Sequence, residues 1–332
     1  MNHILIWSLA IASLTFLKGS DFVGYGSFML NSNSARAIAL SQSNTAWVSN
    51  LESIYSNSAG LASIDGFEVI AGFSLNNTNF TKDLNYNSGS IGYGRRIIRI
   101  PEIFMAFGLG YQGFTVGDID EYDNFENYQG SFDFSEGAYS FAIAAKIYSL
   151  SLGIKWTYYL QDFGNYGYSH NNGEDLKSNY YRPTELGLQY RITKMLMIGL
   201  IYNKSTRIGQ NDITPARLKL GFAVKNNKFI YGLDYERLST NNGGIMSGVE
   251  YTRNIYRIPI SFRLGGRVNV KDDSNDWDIK HNMYLTMGVG VLINDTKILK
   301  KSFQINIAMN QSAYPNLLSP LFRMIFVSVE LF

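Results

Sequence analysis

The chain contains no cysteine among its 332 residues. That excludes disulfides, thiolate-ligated zinc, cysteine nucleophiles and the lipidated cysteine of a lipoprotein. Proline is scarce, at 6 residues, and histidine scarcer, at 3. Charge is thin as well: Asp, Glu, Lys and Arg make up 17% of the chain, against ~25% in a typical soluble domain. With 29 basic and 27 acidic residues, neither sign is in excess and no nucleic-acid partner is expected. Long apolar runs are missing too; none approaches the ~18 residues of a membrane helix. A mean hydropathy of −0.09 is also too polar for a helical membrane protein. What the chain has in quantity is 23 Tyr, 21 Phe and 31 Gly. Sparse charge with abundant aromatics is the mixture of a transmembrane barrel, half of each strand facing lipid and half a polar lumen.

Residues 1–20 read as a signal peptide. Ile4 to Leu17 form a stretch of 14 residues broken only by Ser8, Ser13 and Thr15, too short to span a bilayer and suited to the core of a secretory leader. Cleavage is expected after Gly19 or Ser20. From residue 66 onward the governing signal is period two, the mark of strands with unlike faces. Between Ser149 and Gln161 one face carries Leu150, Leu152, Ile154, Trp156, Tyr158 and Leu160; the other carries Ser151, Gly153, Lys155, Thr157 and Tyr159. The same opposition recurs over 216–225 and 258–270. Extended along the chain, it predicts strands at 66–76, 87–98, 102–115, 136–148, 149–162, 180–192, 194–206, 214–225, 228–238, 244–254, 256–270, 280–293, 301–311 and 321–332. Their lengths lie near the ~9–11 residues needed to cross the apolar layer at a tilt.

The connections carry independent information. Tight turns at 99–101, 148–149, 193, 226–227, 255 and 295–300 alternate with polar segments at 77–86, 116–135, 163–179, 207–213, 239–243, 271–279 and 312–320. Bacterial outer-membrane barrels alternate in this way, with short periplasmic turns and long external loops. A soluble sandwich would alternate too, but its outer face would be charged and its apolar faces would meet in a core. Here Lys155, Arg217, Lys219, Asp234, Glu236, Glu250, Arg263 and Arg267 share the face opposite the apolar one, as suits a wet lumen or a plug. Trp156, Tyr158, Tyr190, Tyr202 and Tyr235 fit an aromatic girdle at the membrane interfaces. The expected fold is all-β: a transmembrane antiparallel β-barrel of about 14 strands over 66–332, with a small N-terminal plug or hatch over 21–65. The expected location is the outer membrane of a diderm bacterium.

Residues 32–65 are of a different kind, rich in small side chains that pack in confined space. Ser34-Ala35-Arg36-Ala37, Ala46-Trp47-Val48-Ser49-Asn50 and Asn57-Ser58-Ala59-Gly60-Leu61 together resemble the N-terminal signature of the PorV/PorQ group, distant relatives of FadL. That signature runs small-Ala-Arg-Ala, a glycine-rich stretch, an acidic pair, then Asn-Pro-Ala-Gly-Leu. Here Ser58 stands in place of the proline, Asn50 and Glu52 approximate the acidic pair, and Leu40 to Ser43 lack the glycines. The stretch from Asp120 to Phe125 with Ser131-Phe132-Asp133, and Tyr181-Arg182-Pro183, are similar to further family segments. The terminal Phe332 resembles a barrel-assembly signal, with Glu330 where a second aromatic is usual.

The resemblance marks Ala35, Arg36, Ala37, Asn57, Ser58, Ala59, Gly60 and Leu61 as a structural plug motif. It implies one of two roles, with outer-membrane lipids as surroundings in both. The first is association with type IX-like protein secretion, in which Tyr122, Phe125, Tyr128, Phe132, Phe163 and Tyr166 offer secretion components or exported proteins a loop contact surface. The second is FadL-like passive transport of long-chain hydrophobic compounds, which predicts an apolar pocket between residues 32–65 and the wall.

Catalysis is not expected. Ser169-His170 and Asp278-His281 fall in external loops and read as solvated residues rather than as hydrolase pairs. Asp118, Asp120, Glu121 and Asp123 are spaced somewhat like calcium ligands, but the glycine and closing glutamate of an EF-hand are missing. Asp272, Asp273, Asp276 and Asp278 are read as a solvated loop as well. No phosphate-binding glycine loop is present, so neither enzyme activity nor a metal or cofactor is expected.

Overall fold

A computed structural model describes residues 34–76, 85–97, 103–122, 128–162, 177–208, 212–214, 216–239, 242–256, 258–271, 283–293, 302–312 and 324–331. The signal segment, Phe125, Phe163, Tyr166, His170, Asp278, His281 and Phe332 lie outside them.

The period-two segments become β1 (Gly66–Asn76), β2 (Asn85–Arg96), β3 (Ile103–Tyr122), β4 (Tyr128–Ile147), β5 (Leu150–Asp162), β6 (Lys177–Arg191) and β7 (Leu196–Asn203). A small hairpin of β8 (Thr206–Ile208) and β9 (Asp212–Thr214) follows. Then come β10 (Arg217–Lys225), β11 (Phe229–Leu238), β12 (Asn242–Ile255), β13 (Ile258–Lys271), β14 (Met283–Ile293), β15 (Phe303–Ser312) and β16 (Met324–Leu331). All but the β8–β9 hairpin join one closed antiparallel barrel, a ring of 14 strands. Closure is made where Val69 of β1 pairs with Leu331 of β16 on one side and Ile91 of β2 on the other. A ring leaves no edge strand with unpaired amides, the condition for a sheet to cross lipid.

The alternation separates outside from inside. Phe107, Leu109 and Leu264 point outward and are 50%, 53% and 54% exposed, while Ala106, Arg263 and Glu250 point inward and are buried. Outward apolar side chains recur on nearly every strand, far beyond the isolated patches a soluble monomer exposes. Among the described residues no helix is long and apolar enough to cross a membrane.

Several strands outrun their alternation. β3 and β4 continue through the segment expected as a loop at 116–135, across a register shift between Val116 and Ile119, to Tyr122 opposite Tyr128. Tyr122, Tyr128 and Phe132 therefore stand on a long hairpin rather than in an irregular loop. Backbone pairing persists beyond lipid without an apolar face, so side-chain periodicity does not report it. β6 likewise begins at Lys177, inside the segment expected as loop. Its ladder with β5 is irregular between the pairs Lys155–Glu185 and Thr157–Arg182, the stretch that holds Pro183; a bulge accommodates a proline that has no N–H to donate.

Candidate functional site

The inside of the barrel is occupied by its own N-terminal segment. Ser34 caps a short helix, Ala35–Ala39, its Oγ accepting from Ala37 N at 3.5 Å. The chain then reverses through Ser41 and Gln42, whose φ values of 50° and 63° lie in the left-handed region. Two 3-10 turns follow, Leu51–Ile54 capped by Asn50 and Ser58–Ser63 capped by Asn57. Ala35, Ala37, Ala59 and Leu61 are wholly buried. Leu51, Ile54, Tyr55 and Leu61 form an apolar core with Ile70, Ala106, Ala142 and Ala144 of the wall.

Two features of the wall seat this segment. The first is inward glycine. A Cβ at Gly94, Gly153, Gly187, Gly199, Gly232 or Gly265 would come within 3 Å of plug atoms, mostly backbone; only glycine lets two backbones approach so closely. Within the plug, Gly60 is held the same way against the Val48 carbonyl.

The second is charge, which the sequence places on the inner face and the structure turns to the plug backbone. Lys219 Nζ donates to Gln42 O at 2.6 Å, and Thr45 N donates to Asp234 Oδ2 at 3.1 Å. Lys155 Nζ donates to Ile54 O at 3.0 Å and pairs with Glu185 at 2.7 Å. Glu185 in turn accepts Ser58 N at 3.2 Å. A proline at position 58, as in the resembled signature, would have no N–H to make that bond. Asn57 Nδ2 donates to Thr45 O at 2.9 Å and to Leu188 O at 3.1 Å, tying the plug to itself and to β6.

Arg36 joins a network that runs through Glu250 to the last strand. Its Nε and Nη2 donate to Glu250 Oε2 and Oε1 at 2.9 and 3.0 Å, a two-pronged pair, and its guanidinium lies 4.8 Å over the Trp47 ring. Burial works against the Arg36 charge, but Glu250 and Glu52 outweigh it, and the pKa is raised. Glu250 also accepts Arg263 Nε at 2.6 Å, and Arg263 reaches Asn306 at 2.8 Å. Asn306 donates to Glu330 Oε1 at 2.7 Å, and Asn50 of the plug donates to Glu330 Oε2 at 2.8 Å. The carboxylate found where a terminal aromatic is usual thus fastens the last strand to the plug. In these layers the inner charges do not face a wet lumen.

One gap between residues 32–65 and the wall opens beside the short turns. The gap between Ala46 and Ser63 and the wall is about 190 Å³, lined by Lys146, Ser149, Ser151, Gln189 and Arg191. With Tyr148 and Met197 its lining is mixed in polarity, and its volume is below the ~300 Å³ of a typical ligand pocket. Aromatic surface gathers instead on the long-connection side of the plug. There Tyr86, Phe114 and Phe134 are half-buried inside β2–β4, with ring centroids 4.7 Å (Tyr86–Phe114) and 6.2 Å (Phe114–Phe134) apart. Tyr159 donates to Glu136 beside them. The sequence shows these rings only as members of the polar face, with nothing to group them. Of the residues expected to form a contact surface, Tyr128 is 59% exposed at the hairpin tip, with Tyr122 directly opposite it.

No protein-family model matches the sequence, and no curated protein matches it. Solved structures do match in fold. The CymD monoaromatic hydrocarbon channel is 13% identical, with a TM-score of 0.62, covering 90% of this chain and 96% of that one. The toluene transporter TbuX of Ralstonia pickettii is 15% identical, with a TM-score of 0.56 over 95% of this chain and 97% of that one. A FadL homologue of Pseudomonas aeruginosa is 10% identical, with a TM-score of 0.55 over 90% and 97%. The chain shares the barrel fold of these outer-membrane channels.

Proposed function

We propose that this protein is an outer-membrane channel for the passive passage of hydrophobic compounds, with residues 34–64 as its gate. The observation that carries this reading is the plugged 14-strand barrel, which matches hydrocarbon channels over nearly their whole length. Tyr86, Phe114 and Phe134 offer an apolar surface to a molecule arriving from the long-connection side. Glycine contacts, an apolar core and buried ion pairs hold the plug as well as hydrogen bonds, so the gate is expected to yield locally, where its hydrogen bonds can pass to water at modest net cost. The test is uptake of a fluorescent long-chain fatty acid and of radiolabelled toluene by cells with and without the gene. Uptake of at least one is expected to fall on deletion and return with the wild-type chain. Unchanged uptake of both would overturn the reading.

A second reading, docking of secretion components or exported proteins, is favoured by the N-terminal signature and by the β3–β4 hairpin with its exposed Tyr128. Affinity purification from outer membranes decides it. Co-purification of a secretion component, lost on Tyr122→Ala/Tyr128→Ala, is the expected result, and its absence removes this reading.

A further inference from the structure

The outer wall of the barrel carries a concavity that the passage of compounds through its interior does not use. It lies on β2–β4 next to the short turns, has a volume of about 700 Å³, and is lined by Tyr93, Met105, Phe107, Phe141 and Ile143 below Arg95 and Arg96. The apolar members belong to facing strands: Tyr93 pairs with Phe107 and Phe107 with Ile143. Their outward, exposed side chains make a trough where lipid is expected.

At its head stand two arginines, the last residues of β2, both exposed. Arg96 lies 4.8 Å over the Phe104 ring, and among the described residues neither guanidinium pairs with a carboxylate. A charge on the lipid face costs little at the interface and much at mid-membrane. Arg95 is the next-to-last residue of β2, opposite Met105 and close to the short turn. Guanidinium groups suit phosphate oxygens because their donors form a planar fork.

We propose that this trough is a binding site for an anionic phospholipid, its acyl chain along Phe107, Ile143 and Phe141 and its phosphodiester on Arg95 and Arg96. The inference rests on the reading of the chain as a membrane barrel, but not on transport. Charge at the same end of the barrel supports the choice of ligand. Lys146, Arg191, Lys194, Lys225 and Lys228 lie at the short turns around the same end of the barrel, where Asp65 is the one exposed acidic residue among those described. A rim of that sign draws anionic headgroups, and a zwitterionic lipid gains less from it because its ammonium is repelled.

The test is native mass spectrometry of the detergent-purified full chain with phosphatidylglycerol, phosphatidylethanolamine or inorganic phosphate. Phosphatidylglycerol is expected to bind about tenfold more tightly than phosphatidylethanolamine, and Arg95→Gln/Arg96→Gln to abolish most of that preference. Met105→Trp, which fills the trough and keeps both charges, is expected to weaken binding of both lipids. Equal binding of the two lipids, or an unchanged preference in the double variant, overturns the site. So does an equal loss on Lys194→Gln/Lys225→Gln/Lys228→Gln, which would make the attraction a diffuse property of the rim. Adducts of inorganic phosphate that compete fully with the lipid would show an anion site without an acyl trough and overturn it too. Heat-modifiable migration on gels confirms that each variant is folded; if the wild-type chain lacks it, the membrane-barrel reading fails rather than the lipid site alone.

Discussion

Arg36 and Glu250 form one buried pair, yet the two residues are not equally replaceable. Glu250 holds both Arg36 and Arg263, whereas Arg36 has Glu250 at 2.9 Å and Glu52 only at 3.9 Å. Removing one partner from a buried ion pair costs about 3–5 kcal/mol when the other charge is stranded. Glu250→Leu strands two guanidinium groups and is expected at the upper end of that range. Arg36→Met leaves Glu250 with Arg263 and is expected to cost about 2 kcal/mol less. Urea titration of the two variants refolded into lipid vesicles checks the order; equal losses would mean the network is not organised around Glu250. Gln42 poses a different problem, since its φ of 63° is left-handed and costs a side-chain-bearing residue ~1–2 kcal/mol. Gln42→Gly is expected to raise the same midpoint, by about 0.5–1 kcal/mol after glycine's greater unfolded-state entropy is counted. The glycine-rich stretch of the resembled family falls at this reversal, and here Ser41 and Gln42 make the turn without it.

The plug is an element only because the wall makes room for it. Gly232 of β11 faces Ser43 O and Trp47 Nε1 so closely that an added Cβ has nowhere to go. Gly232→Val is expected to lift residues 40–47 off the wall while the barrel still closes. Protease cleavage within residues 34–64 on intact outer-membrane vesicles would then rise several-fold over wild type, with Gly137→Ala as control because a Cβ there meets nothing nearer than 3.5 Å. Ser58→Pro tests the seat at β5–β6. The variant loses the Ser58 N–H to Glu185, but Glu185 keeps Lys155, so the expected cost is about 1–2 kcal/mol, read from the urea midpoint. The strands were legible in the sequence because each has one apolar face. The β3–β4 extension and the β8–β9 hairpin were not, because pairing outside lipid leaves no such trace. The inward glycines were visible as residues breaking strand propensity, but a glycine says that something comes close without saying what.

At the scale of the whole molecule, a closed barrel with its interior filled should resist unfolding by detergent and pass few ions. Unboiled protein is expected to migrate apart from boiled protein on gels, and its conductance in planar bilayers to stay well below that of an open porin until the plug is lifted by Gly232→Val. A large wild-type conductance would contradict the plug's place in the lumen. The barrel itself, its antiparallel order and its ring of 14 strands followed from the sequence alone, since period two and alternating connection lengths are local patterns. They even assigned Lys219, Asp234, Glu250 and Arg263 to the inner face. What those side chains hold was decided only by the tertiary structure. Arg36 meets Glu250 across 214 residues and Asn50 meets Glu330 across 280. Periodicity tells which way a side chain points; only closure of the ring around its own N-terminal segment brings the partner to it.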